Sequence, residues 1–562
     1  MLNRRRFLQR VGAAAPASMV SAAGGLAAAR QVDGAAPDEP RVFLREDFHH
    51  MSGIAPPLTK ADVTKTVDLV AGTSVNTLIF QLAPRGGMCI YETRVGQMHG
   101  SNVRKWNHAV NYRDGLHVRQ LVREGWDRPQ LFCDRCHEKG MLFFASAHLN
   151  LGAGAAEQAR GTGRLSDFVL DSDHLRVGED DDPRARHISP VRLNFIHPEV
   201  REERLRIFEE LLSRYTTDGV EVHSEVLPIC RFDQVSRCAP LLTRWLQDLK
   251  AIAGKAEREQ GRRKRVYMRI PANPRAWKAA GLEVPEWISE GLLDGLICAS
   301  TDPEVFDQDI DISEVVSLAR GTSCRLLVEC GTTLKKRRDD KPTARLLWAA
   351  AANAYHQGAA GFGINDMVRS QQLAFLKHME DALRPLGSPE LLETADKIYH
   401  VRDQPSNPGN FGSGLPGFDP VLPKPLEVGQ PQEVPLRVAD DLRRWHALDR
   451  LRSARLRVRI NNLEPSLNRL RIELNGKPLP DSMLQITDLN YRFIKEGVAY
   501  QGSQIYEYRL SPEYFPEPGE NVVKVTLLEK DPDVDLLFEV QDVDCSIEYR
   551  LHRHFEPRPI EY

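Results

Sequence analysis

An α/β chain, a (β/α)8 barrel of the TIM type followed by an all-β sandwich, is the fold class that three features of this 562-residue sequence predict. Short apolar runs alternate with longer amphipathic ones from about residue 70 to 385, the pattern of repeated βα units that closes a parallel sheet. A stretch dense in Pro and Gly then interrupts all periodicity over 403–435. Beyond it the period falls to two, as in half-buried antiparallel strands.

Eight runs are read as barrel strands: Thr77–Leu82, Leu142–Ala147, Val191–Phe195, Gly219–Ser224, Val266–Ile270, Asp294–Ala299, Arg325–Cys330 and Ala360–Ile364. The helices between them are legible from their ends and stripes. Pro198 sits where a first-turn proline belongs, and Leu205, Phe208, Leu212 and Tyr215 make one apolar face before "TTDG" stops the helix. Gly291 closes a short helix inside "VPEWISEGLLDGLI" in the same way. The barrel is therefore placed at 70–400, a linker at 403–435 and the sandwich at 436–562. The sandwich strands are read at Arg455–Asn461, Arg469–Gly476, Asn521–Glu529 and Asp542–Leu551, with their arginine-rich outer faces in solvent.

Composition excludes some classes of partner. With 75 basic and 78 acidic residues the net charge is −3, so no global field draws the chain to nucleic acid or anionic lipid. No run after the first thirty residues reaches the roughly 18 apolar residues of a membrane span. Those first thirty differ in kind: "NRRRFLQ" (Asn3–Gln9) carries Arg4-Arg5, a mild Ala/Gly/Val stretch follows, and Ala27-Ala28-Ala29 offers a cleavage site. Residues 1–30 are read as a twin-arginine signal, with the export machinery as targeting partner and a periplasmic or extracellular destination. Nine cysteines at scattered positions do not make a disulfide scaffold. Cys133-Asp134-Arg135-Cys136-His137 matches the C-x-x-C-H pattern of haem attachment, but it lies in a helical pattern running into an apolar strand. Buried thiols are the simpler reading, and no cofactor is expected.

The stretch "DGVEVHSEV" (Asp218–Val226) puts Glu221, His223 and Glu225 on one side of a strand, because side chains two apart share a face. In a parallel barrel the C-terminal strand ends build the site. "LLVECG" places a single carboxylate, Glu329, near such an end. Two carboxylates can cleave a glycosidic bond, one protonating the leaving oxygen and one attacking the anomeric carbon. Glu225 or Glu221 is the candidate acid/base and Glu329 the candidate nucleophile. The competing reading makes Glu221 and Glu329 buried ion-pair members, with Arg269 as a partner for Glu329. Other strand ends offer His148, Asn150, Arg269, Asn273, Asn365 and Asp366 for sugar hydroxyls, with Trp277 and Trp106 as stacking surfaces. His148 and His223 with neighbouring carboxylates also suit a metal-assisted hydrolase, but no H-E-x-x-H spacing occurs and no metal site is assigned. A G-x-S-x-G nucleophile elbow is absent.

Two segments add a resemblance. "PEVREERLRIFEELLSRYTTDGVEV" (Pro198–Val222) resembles the "P-E-V-R … RYDVDGIELD" segment of bacterial exported glycosyl-hydrolase-like barrel proteins, and "GLEVPEWISEGLLDGLI" (Gly281–Ile297) is similar to their "G-L-D-V-x-x-W-I-x-E-G-L-V-D" segment. The resemblance covers about residues 75 to 550 and implies a TIM-type barrel, often a C-terminal β-sandwich, and carbohydrate cleavage. One departure stands out: His223 occupies the place of the aspartate two positions after the family's glutamate. The expected function is an exported glycoside hydrolase acting on an oligo- or polysaccharide. A non-catalytic carbohydrate-binding barrel is the alternative.

Overall fold

The computed structural model describes residues 38–84, 86–149, 152, 160–185, 190–224, 228–300, 305–334, 343–366, 379–402, 415, 421–488 and 503–552. Eight parallel strands close a barrel: β1 Val42–Glu46, β2 Thr77–Ala83, β3 Leu142–His148, β4 Gly219–His223, β5 Arg265–Pro271, β6 Gly295–Ala299, β7 Arg325–Cys330 and β8 Gly361–Asn365. Each pairs with the next in sequence, and β8 returns to β1 through Phe43↔Gly363 and Arg45↔Asn365. The crossover helices carry the stops their sequences announce. Pro198–Ser213 has its proline in the first turn, and the long helix Val235–Gln260 ends on Gly261 at φ 63°, a left-handed conformation that costs glycine little.

Seven of the eight expected strands are in place; two corrections follow for the other. Val191–Phe195 is not a strand but part of the long connection leading to Pro198–Ser213, and it makes only an isolated bridge, Arg176↔Leu193. Its apolar alternation packs Leu193 and Phe195 into the core without joining the barrel. The missing strand is β1, which lies ahead of the expected start at residue 70. Its five residues are all buried, too short a run to show a period. The two errors cancel in the count, so Glu221 and Glu329 still sit on the fourth and seventh strands.

The barrel interior is layered by the two-residue strand period. Phe43, Ile79, Phe144, Tyr267, Ile297 and Leu327 form a separate apolar cluster inside the barrel. Gly295 and Gly363 face it without side chains, and a Cβ on either would strike the ring of Tyr267 or Phe43. Two residues further along the strands the inward positions turn polar: Arg45, Gln81, Ser146, Arg269 and Glu329.

The sandwich consists of two antiparallel sheets. One contains β9 Lys397–His400, β10 Lys424–Leu426, β12 Leu451–Asn461, β15 Leu484–Asp488, β16 Ser503–Arg509 and β18 Phe538–Tyr549; the other contains β11 Pro431–Val438, β13 Arg469–Leu474, β14 Lys477–Pro478 and β17 Gly519–Glu529. Leu456, Val458 and Ile460 share a core with Val523, Val525 and Leu527. Two of these strands fall before residue 436 and a third starts before it, which corrects the expected boundary. β9 lies in the span assigned to the barrel, β10 lies in the span assigned to the linker, and β11 begins there and runs on past it. Pro431 and Pro435 read as breakers, but β11 is an edge strand, where a missing N–H is tolerated. The arginine-rich face is also less solvated than expected. Arg457 lies 3.6 Å from Asp544, and Arg459 is paired with Asp542, both of the latter nearly buried.

Ala36–Tyr562 clusters as one unit. Gln308, from the loop after β6, ties barrel to sandwich by donating to Leu346 O (2.9 Å) and Ile398 O (3.0 Å) and accepting from His400 N (2.7 Å). Among the described residues no helix is long and apolar enough to cross a membrane.

Candidate active site

Above the apolar plug, the inward positions of seven strands place a polar layer at the C-terminal half of the barrel. Glu221 from β4 is fully buried; its Oε2 accepts from Ser146 Oγ of β3, and its Oε1 is 3.1 Å from His223 Nδ1 on its own strand. Glu329 from β7 is equally buried, and its Oε1 accepts from Arg269 Nε of β5 at 2.6 Å. Its Oε2 has no hydrogen-bond partner among the described residues. Arg45 of β1 donates to Asn365 Oδ1 of β8 at 2.8 Å. His148 contacts Gln81 of β2, and its ring meets that of His223 edge to face at 4.3 Å between centroids.

Burial and charge oppose each other here. Desolvation pushes the Glu221 carboxyl above its ordinary range, against the pull of Arg45, the Ser146 hydroxyl and Arg269. Desolvation also raises Glu329, with Arg269 and Arg45 pulling down and the Glu221 charge pushing further up. The Glu221 charge thus bears on Glu329, a weaker influence than burial and the two arginines.

Of the residues expected at the site, the structure brings together Glu221, Glu329, His148, His223, Arg269 and Asn365. The expected pairing of Glu329 with Arg269 is present, so the ion-pair reading and the catalytic one meet in the same residue. Glu225 and Asn150 lie outside the described residues. Trp277 is corrected: it is 4% exposed, packed in the helix Pro274–Ala280 with its Nε1 donating to Pro271 O at 2.7 Å, and offers no open face to a sugar. Asn273 caps that helix, its Oδ1 accepting from Arg275 N at 2.9 Å, although it also lines a cavity described below. Asp366 follows β8 in a left-handed conformation (φ 56°), its N–H donating to Arg45 O at 2.7 Å.

Sequence reasoning missed Arg45, Gln81 and Ser146. Gln81 and Ser146 were legible, since each interrupts an apolar alternation (Thr77, Ile79, Gln81; Leu142, Phe144, Ser146, His148) as Glu329 does. Arg45 was hidden with its strand. Among the described residues no group of three or more His, Cys, Asp or Glu side chains is placed to hold a metal ion. Cys133 and Cys136 lie in the core under β3, with burial pushing the Cys133 thiol up to about 12, and His137 Nε2 is engaged by Asp218 Oδ2 at 2.9 Å.

No family model matches this chain, and no curated protein matches it. Among solved structures it is similar to the PgaB (BpsB) glycoside hydrolase domain from Bordetella bronchiseptica, at 13% identity over 62% of this chain and 99% of that one, with a TM-score of 0.40. It is similar to alpha-L-fucosidase isoenzyme 2 from Paenibacillus thiaminolyticus at 9% identity, covering 62% of this chain and 49% of that one, TM-score 0.39. The endo-1,4-beta-mannanase from Rhizomucor miehei gives 8% identity over 63% and 96% of the two chains, TM-score 0.37. Likeness this distant carries no residue and no activity across, and the fold stands on the strand register of the chain itself.

Proposed function

We propose that this chain is a glycoside hydrolase acting on an oligo- or polysaccharide by a two-carboxylate mechanism. The supporting observation is the pair Glu221 and Glu329, inward on strands four and seven and in one buried polar layer, with the Glu221 charge raising Glu329. Glu221, whose carboxyl burial pushes above its ordinary range, gives its proton to the leaving glycosidic oxygen as that bond breaks. Glu329 attacks the anomeric carbon through Oε2, the oxygen that Arg269 does not hold. Water then displaces the glycosyl group from Glu329, passing its proton back to Glu221. Glu225 is the competing acid/base. In this reading His223 orients Glu221, and His148 and Asn365 meet sugar hydroxyls. The buried Arg269–Glu329 pair also favours a second reading, a carbohydrate-binding barrel without turnover.

A panel of neutral oligosaccharides and aryl glycosides decides between them. Hydrolysis by the parent that falls about 10⁴-fold in Glu329→Gln, with substrate binding retained, supports the nucleophile assignment; a fall of that size is about 5.5 kcal/mol of transition-state stabilisation. Glu221→Gln should lose most on poor leaving groups. Binding without hydrolysis by the parent supports the second reading and removes the first. We further propose export through Arg4-Arg5: changing both to lysine should leave the precursor in the cytoplasm, and unchanged export removes that assignment.

A further inference from the structure

A cavity of about 560 Å³ opens where the ends of β5 and β6 meet the sandwich. Its size falls in the range of ligand sites, about 300–1,000 Å³. On the barrel side its wall includes Ala299, Asn273 and Ser300; on the sandwich side it includes His400, Arg402 and Arg437. Ala299 is an inward position of β6, and its register partner on β7 is Glu329. Adjacent strands lie about 4.8 Å apart. One lining residue, Ala299, therefore lies one strand spacing from the backbone of the proposed nucleophile.

The chemistry of its wall selects a ligand class. The two arginines that reach in from the sandwich arrive neutralised: Arg402 Nη1 is 3.1 Å from Asp307 Oδ2, and Arg437 Nε is 2.5 Å from Asp309 Oδ1, with Glu520 at 2.9 Å from its Nη2. Asp311 and Glu314 add further negative charge to the wall, opposed by Arg275. A phosphate or carboxylate ligand thus meets no surplus of positive charge. Besides the His400 imidazole and the prolines Pro274 and Pro435, an aromatic or aliphatic ligand meets only Ile310, Val401, Val421 and two alanines on the wall, with no Phe, Tyr or Trp among the described lining residues. Asn353, 1% exposed, lines the cavity; its Nδ2 donates to Gln308 O and Arg437 O (3.1 and 3.3 Å), while its Oδ1 has no donor among the described residues. Buried polar atoms without partners are rare, and a hydroxyl group can supply both donor and acceptor.

We infer that this cavity is a distal subsite for a neutral, polyhydroxylated chain, holding sugar units beyond the bond cleaved in the barrel, so that the sandwich supplies part of the substrate cleft. The inference rests on the glycoside hydrolase reading. Its consequence is that affinity grows with chain length until the cavity is filled. The test uses full-length protein carrying Glu329→Gln, titrated with neutral di- to hexasaccharides of whichever series the panel identifies. Arg275→Ala, at the exposed lip, and Ser300→Trp, which fills the cavity, are added singly to that background. The expected result is about tenfold weaker binding of the hexasaccharide in each, with less than twofold change for the disaccharide. Equal affinities across all lengths in parent and both variants, while the unmodified protein still cleaves a short aryl glycoside, overturn the subsite and leave the hydrolase reading standing. If the unmodified protein neither cleaves nor binds any member of the panel, both fall.

Discussion

Two layers of the same barrel, two residues apart on the same strands, have opposite characters. Phe43, Ile79, Phe144, Tyr267 and Leu327 make the lower one; Arg45, Gln81, Ser146, Arg269 and Glu329 make the upper. All ten are 5% exposed or less, so solvent access does not explain the difference. The lower layer removes apolar surface from water and needs only volume and shape to be right. The upper layer removes charge from water, which costs free energy unless every charge finds a partner. A chain that needed only a stable barrel gains nothing from the second layer, which lies at the C-terminal strand ends, where the proposed function puts the site.

The two layers should therefore fail differently when cut. Arg269→Ala strips Glu329 of its ionic partner inside the barrel. Unfolding in denaturant should show a loss of about 3–5 kcal/mol, the usual consequence of leaving one buried charge alone. Adding Glu329→Gln to that variant should restore part of it, because the uncompensated charge is then gone; no recovery would mean that packing of the arginine stem, and not charge, is what Arg269 contributes.

Leu327→Ala opens a cavity in the plug two residues before Glu329 on the same strand and should cost about 2–5 kcal/mol. Here no second substitution in the polar layer should compensate. Activity measured per folded molecule should stay close to that of the parent, since Glu329 and Arg269 keep their contact. A proportionate fall in activity would show that the plug sets the position of the carboxylate above it, and the two layers would have to be treated as one.

What the sequence discloses follows the same division. Glu329 was legible because one carboxylate in "LLVECG" breaks an apolar alternation that would otherwise be plain core, and Glu221 because the alternation of Val220, Glu221, Val222 and His223 has the strand period. Arg45 was not, because "VFLRE" is too short to establish a period and its neighbour Glu46 makes the arginine look like the polar end of an element. Trp277 and Asn273 misled for a different reason. Position after a strand says that a residue is near the rim, but whether it faces the ligand or caps and packs the next helix depends on the local turn, and Pro274 starts that helix at once. The sandwich boundary was misplaced because proline was read as a breaker without regard to whether the strand lay at an edge.

The comparison sharpens further where the same pair chemistry meets water. Asp309 and Arg437 at the barrel–sandwich seam are bonded as Glu329 and Arg269 are, but the Asp309 side chain is 34% exposed and its neighbours Asp307 and Glu520 are also acidic. Burial, helped by those two carboxylates, pushes the Asp309 carboxyl up to about 6 from an ordinary 3.8, against the hydrogen bond and charge of Arg437. The sign of the effect follows from proton counting. Between about pH 4 and pH 6 the unfolded chain has released this proton while the folded one keeps it, so the unfolded state binds fewer protons and stability falls as pH rises through that window. Below pH 4 both states are protonated and the contribution is constant. Solvent screening keeps the whole change small, under about 1 kcal/mol. In Asp309→Asn this component of the pH dependence should disappear, so the variant should equal the parent near pH 3.5 and exceed it slightly near pH 7 in denaturant midpoint. A variant that is instead less stable than the parent at pH 7 would mean that the Arg437 pair outweighs the burial cost even in a half-wet seam, and the contrast between the buried layer and the seam would be one of degree in pairing and not in access to water.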